Sequence, residues 1–144
     1  MKNILVPIDF KGNEQLLLDK SLEISKKFKS KVWLIHVAAP DPDYVGYDAG
    51  PQSTRDDRAN KLREEHKNIQ DLADELKNNG IESEGLLIQG VTVDAILKKT
   101  KKLNIDLIII GHQSYGIFYK ALFGSVSESL IKKSKIPVLV VPLD

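Results

Sequence analysis

The sequence predicts an α/β fold built on one doubly wound parallel sheet, and three observations predict it. Five short apolar runs are mostly continuous and β-branched, as strands are when helices cover both faces of their sheet. Segments with helical periodicity lie between the runs, and strand and helix alternate along the chain, which right-handed crossovers turn into a parallel sheet. The length of 144 residues suits one such core, so residues 1–144 are read as a single domain.

Each element has its own signal. The first strand is predicted over Asn3 to Ile8, before the turn residues that follow. The next helix is predicted over Gln15 to Phe28: Leu17, Ser21, Ile24 and Phe28 recur at three- or four-residue spacing as a core stripe, with Lys20, Glu23, Lys26 and Lys27 opposite. A second strand follows over Lys31 to Val37, with Trp33 read as core. Ala38 to Pro51 carries prolines, glycines, Tyr44 and Tyr47, and reads as an exposed excursion or lid. The second helix, about Thr54 to Asn78, is rich in charges of both signs, the mark of a solvated face. Glu84 to Ile88 is the third strand, Val93 to Leu103 the third helix and Asp106 to Ile110 the fourth strand. In the last helix, Ser125 to Lys133, Ser125 and Glu128 have capping-box spacing, and Lys132 and Lys133 suit the carboxyl end of the dipole. Val138 to Val141 is the fifth strand.

Composition excludes several classes of function. With 21 basic and 20 acidic residues the net charge is +1, so no global field gathers nucleic acid or an anionic membrane surface. Cysteine is absent, which removes disulfides, thiolate catalysis and thiolate metal sites and fits a reducing compartment. No signal peptide is read at Met1 to Pro7, and no apolar stretch approaches the ~20 residues that cross a bilayer. The expectation is a soluble, cytoplasmic protein without membrane insertion.

Ligands of doubly wound sheets bind beyond the carboxyl ends of the strands, where strand order reverses. The segments to inspect are therefore Pro7 to Asn13, Val37 to Ser53, Gln89 to Thr92 and Gly111 to Gly124. Gly111 closes a strand, and Gly124-Ser125 opens a capped helix. Such glycines let backbone approach an anion, and free N–H groups at the helix start point towards it. Ser125 and Ser127 add hydroxyl donors. The same spacing equally fits two turn glycines and an ordinary N-cap serine. Gly111 and Gly116 match the first half of a P-loop, but Ile117 and Phe118 stand where it needs Lys and Ser or Thr. No G-x-G-x-x-G follows the first strand. His36, His66 and His112 have no metal-ligand spacing, so no metal site is expected; His66 is read as solvent-facing and His112 as a loop residue bordering the site.

Taken together, Ile4-Leu5-Val6-Pro7-Ile8-Asp9, His36-Val37, Gln89-Gly90, Asp106 to Gly111, Gly124 to Glu128 and Ile136 to Pro142 make the chain resemble the universal stress protein family over essentially its whole length. The resemblance implies a Rossmann-like, adenine nucleotide alpha hydrolase-like fold with strand order 3-2-1-4-5. It also implies a homodimer paired edge to edge through the fifth strand, Val138 to Val141, whose apolar edge is otherwise unprotected. The ATP-binding branch carries Gly, two residues, Gly, nine residues, then Gly followed by Ser or Thr. Gly111 and Gly124-Ser125 match that spacing, Ser114 replaces the middle glycine, and Gly116 fits a variant with glycine two residues later.

The ligand so implied is ATP or AMP, with Mg²⁺ as an option. Adenine would lie against Val37 and the strand end at Pro7 and Ile8, with Asp9 towards the ribose or phosphates. Ile110, Gly111, Ser114, Gly124, Ser125, Val126 and Ser127 would hold ribose and phosphates. Ser114 either adds a hydroxyl contact or crowds the approach with its Cβ. Asp9 either holds Mg²⁺ through water or caps the following turn. Tyr44 and Tyr47 are candidates to close over the base.

No nucleophile stands beside a base, and no acid and base pair separates clearly. The expected function is thus a binding module, a stress-related sensor or regulator acting through protein partners, with slow ATP hydrolysis at most. The alternative is a nucleotide-independent interaction or stress-resistance protein with a degenerate site. A ligase that adenylates its substrate is disfavoured, because the Ser-Gly-Gly loop expected after the first strand is missing.

Overall fold

The computed structural model describes residues 1–38, 52–112 and 126–144. Five parallel strands, β1 (Asn3–Pro7), β2 (Lys31–Ala38), β3 (Ser83–Gln89), β4 (Leu107–His112) and β5 (Val138–Pro142), form one sheet in the order β3-β2-β1-β4-β5. The helices are α1 (Glu14–Phe28), α2 (Gln52–Asn78), α3 (Thr92–Lys102) and α4, residues 126–133. The order expected from the family resemblance is the order observed.

Alternation along the strands explains why the runs are apolar throughout. Ile4, Val6, Val32, Leu34 and Ile109 face one layer, where Leu17, Leu18, Ile69, Ala73 and Leu76 of α1 and α2 complete the cluster. Their neighbours Leu5, Ile35, Ile108 and Ile110 face the opposite layer, closed by Ile96 of α3 and Leu130 of α4. Both faces are covered by helices, so these strands carry apolar residues at successive positions and not only at alternate ones. Gly85 lets α2 lie against β3: a Cβ there would stand 2.6 Å from the backbone oxygen of Ile69.

The stripe of α1 is corrected in detail. Its buried residues are Leu17, Leu18, Ser21 and Ser25, while Phe28 is 55% exposed. The helix ends beside the starting edge of the sheet, where Ser30 already donates to Met1 O and Lys31 N–H to Lys2 O. Phe28, the last residue of α1, stays uncovered among the described residues. The two buried hydroxyls donate back along the helix, Ser21 to Leu17 O and Ser25 to Ser21 O, each at 2.6 Å, so neither hydroxyl lacks a partner.

Trp33 is also corrected. It sits half-buried at the rim of the second cluster, its Nε1 donating to Asn3 Oδ1 at 3.2 Å and the Lys31 ammonium lying 3.9 Å from its ring centroid. No helix among the described residues is long and apolar enough to cross a membrane.

Candidate functional site

Beyond the carboxyl ends of β1, β2 and β4 the two layers part around a cavity of about 320 Å³, a volume in the range of small-molecule sites. The sequence-selected Pro7, Ile8 and Asp9 line it from β1, Val37 from β2, Ile110 and Gly111 from β4, and Val126 and Ser127 from α4. Ser114, Gly124 and Ser125 lie outside the described residues, as do Gly116, Tyr44 and Tyr47.

The turn after β1 is held in a defined shape. Ile8 N–H donates to Ile35 O at 2.8 Å, extending the ladder one residue past the strand. Asp9 Oδ1 accepts the Lys11 N–H at 3.0 Å, and Glu14 accepts the Gly12 N–H at 2.9 Å. Phe10, Gly12 and Asn13 all have positive φ. The Asn13 side chain does not cap α1; its Nδ2 donates to Leu143 O at 3.0 Å, tying the turn to the residue after β5. Of the two roles weighed for Asp9, the cap of the turn is the contact observed.

Several lining residues escaped the sequence reading. Lys11, Gly12 and Glu14 lie in or beside a segment marked for inspection, and Thr92 opens α3 at the end of another; only the folded turn turns them inward. His36 also lines the cavity. Its signal is a polar residue near the end of an apolar run, which enters the family resemblance and the test for metal-ligand spacing without being assigned to the site. The residue is 9% exposed; Nδ1 lies 2.7 Å from Ile8 O and Nε2 3.5 Å from Glu65 of α2. Phe10 stacks obliquely on it at 4.8 Å between centroids.

Leu143 is the other addition. It lines the cavity, and its side chain occupies the space beside Gly111, with Cγ 3.0 Å from where a Cβ would stand. Gly111 therefore makes room for a side chain; it does not close β4 as expected, since the strand runs one residue further, to His112. His112, half-buried at the end of β4, contributes its carbonyl to Leu143 N–H at 2.8 Å, and His66 is exposed on α2 as expected.

Chemically, the cavity offers two kinds of surface. Ile35, Val37, Ile96, Ile110, Val126 and Leu130 give apolar walls. Asp9, Lys11, Glu14, His36, Thr92 and Ser127 give charged and hydrogen-bonding groups from the β1–α1 turn and from four elements, α1, β2, α3 and α4. Such a mixture orients an amphiphilic small molecule and does not by itself supply a nucleophile.

Comparison with known proteins agrees with this architecture. A model of the universal stress protein family matches residues 1–142. The chain is 30% identical to universal stress protein MJ0577 of Methanocaldococcus jannaschii, over 97% of this chain and 94% of that one. The solved structure of MJ0577 superposes with a TM-score of 0.76, covering 98% of this chain and 95% of that one. A universal stress protein in complex with cAMP gives a TM-score of 0.68 at 20% identity, over 99% and 98% of the two chains. One from Archaeoglobus fulgidus in complex with dAMP gives 0.62 at 19%, over 97% of each. At these identities the last two likenesses are of fold.

Proposed function

Because the chain belongs to the universal stress protein family, we propose that it binds an adenine nucleotide, ATP or AMP, in the cavity at the sheet's carboxyl end and uses occupancy to regulate a protein partner in the cytoplasm. The carrying observation is convergence: residues chosen from four separate stretches of sequence line one cavity with an apolar wall and a polar one. Proteins of the same fold in complex with cAMP and dAMP support the choice of ligand class.

In this reading Val37, Pro7 and Ile8 take the adenine. Asp9 and Lys11 face the ribose and phosphates, and Ile110, Gly111, Val126 and Ser127, with Ser114, Gly124 and Ser125, hold them. With Asp9 Oδ1 engaged by the turn, Oδ2 is the oxygen available to Mg²⁺ through water. The protein acts as a homodimer through β5, an outer strand of the sheet with Val140 37% exposed; a bare edge of this kind invites pairing.

The test is to denature purified protein, identify released nucleotide by mass, and titrate nucleotide-free protein with ATP, AMP and Mg²⁺ by calorimetry. Retained or micromolar nucleotide supports the proposal, and Gly124→Val is then expected to weaken binding by about 1.4 kcal/mol or more, tenfold. Light scattering checks assembly, with Val140→Lys expected to give monomers.

One observation favours a second reading, a nucleotide-independent interaction protein. Leu143 fills the space beside Gly111, where the first reading brings in ribose or phosphate. Absence of binding by every nucleotide would select it.

A further inference from the structure

We propose that His36 is the positioning residue that aims the β1–α1 turn, and with it Asp9, at the ligand. This rests on the nucleotide reading of the cavity. The imidazole engages the turn on both sides of Asp9. Its Nδ1 lies 2.7 Å from Ile8 O, a carbonyl that can only accept, so Nδ1 carries the proton and donates it. Ile8 N–H is already given to Ile35 O. The NH and CO of Ile8 are thus both engaged by β2.

Past Asp9, the ring of Phe10 packs on the imidazole at 4.8 Å. Phe10 has φ 58°, a left-handed conformation that a residue with a Cβ keeps only when its surroundings hold it. Asp9 therefore stands between two residues fixed by one buried ring, and its carboxylate closes the turn on Lys11 N–H. Glu65 approaches Nε2 at 3.5 Å, an ion pair whenever the ring is charged. That contact orients the ring from α2, but the bond to Ile8 sets the turn.

Two substitutions separate these contacts. Asn presents an amide N–H close to where Nδ1 stood, and Gln presents one close to Nε2. His36→Asn keeps the Ile8 bond and is expected to bind AMP within threefold of the parent protein. His36→Gln keeps the Glu65 contact, loses the Ile8 bond and is expected to bind at least tenfold more weakly. Equal affinity of the Gln variant and the parent, or an Asn variant as weak as the Gln variant, overturns the proposal.

A second readout needs no ligand. Nitrogen-15 correlation spectra of the unliganded protein should show the His36 proton on Nδ1. The Asp9 backbone resonances should move less in the Asn variant, which keeps the Ile8 bond, than in the Gln variant, whereas Phe10 loses its ring contact in both. A bare Nδ1, or Asp9 resonances that move no less in the Asn variant than in the Gln variant, overturns the role of His36 even in a protein that binds no AMP. A parent protein that binds no AMP while these spectra come out as expected overturns the nucleotide reading and leaves the turn-setting role standing.

Discussion

The two ends of the sheet use similar residues for different ends. At the amino end the polar groups satisfy one another. Asp106 accepts the Lys2 and Asn3 N–H groups at 2.8 and 2.9 Å, the Asn3 side chain takes the Trp33 indole N–H, and Lys31 pairs with Glu84 at 2.8 Å and Glu82 at 3.5 Å. At the carboxyl end Asp9, Lys11, Glu14, Thr92 and Ser127 border a cavity. A parallel sheet puts every strand's last residue at the same end, and the loops that leave there splay around the point where strand order reverses. Charge at a strand end thus meets packed partners at the amino end and a cavity at the carboxyl end.

Substitutions should therefore separate stability from binding by position. The largest effect is expected between the two ends, where α2 lies directly against β3 at Gly85. Gly85→Ala drives a methyl into the Ile69 backbone and should destabilise by about 1–3 kcal/mol in urea unfolding, while AMP affinity of the folded fraction stays constant. If stability is unchanged, the close approach of α2 to β3 is not a constraint.

Leu143→Ala is the sharpest probe of the carboxyl end. It is expected to tighten AMP binding about tenfold, or about 1.4 kcal/mol, if the side chain obstructs the approach beside Gly111. If Leu143 is a wall of the bound state, calorimetry will find weaker binding instead.

At the amino end Asp106→Asn should lower stability without touching affinity. The Asn3 and Lys2 N–H groups hold the Asp106 carboxyl below its ordinary value. A lowered folded value contributes stability above the unfolded value, and that contribution disappears as pH falls through the folded one. The difference in unfolding midpoint between parent and variant should thus be full at neutral pH and close on acidification; a gap that persists in strong acid would assign it to packing.

The smallest effect is expected for Lys31→Met. Hydrogen bonding to Glu84 raises the Lys31 value, with the Glu84 and Glu82 charges adding to it against the cost of burial. Exposed carboxylates make the pair worth less than about 1 kcal/mol. Its contribution is full at neutral pH and fades only as pH rises past the lysine range, which unfolding at pH 7 and above pH 11 will compare.

The fold was legible because burial on both faces writes itself into β1 and β4 as unbroken apolar runs, Ile4 to Val6 and Leu107 to Ile110. The strand-end rule then selected Pro7, Val37 and Gly111 without further information. What stayed hidden depends on distances between remote segments. Leu143 meets Gly111 only after β5 pairs with β4, and His36 meets Ile8 O only across the β1–β2 ladder. Phe28 fits the helical stripe in sequence, yet periodicity carries no record of where the sheet stops. Lys11 and Glu14 look like solvated charges until the left-handed residues Phe10, Gly12 and Asn13 bend their turn inward.

Trp33 is the chain's single tryptophan, and it lies near the start of β2, three residues and ~10 Å from His36 at the opposite end. Its emission excited at 295 nm will follow the Lys31 and Asn3 environment and hence global unfolding. A nucleotide entering the cavity should leave that emission almost unchanged. Fluorescence thus gives a clean stability assay in the presence of ligand, and a flat fluorescence titration would be no argument against binding.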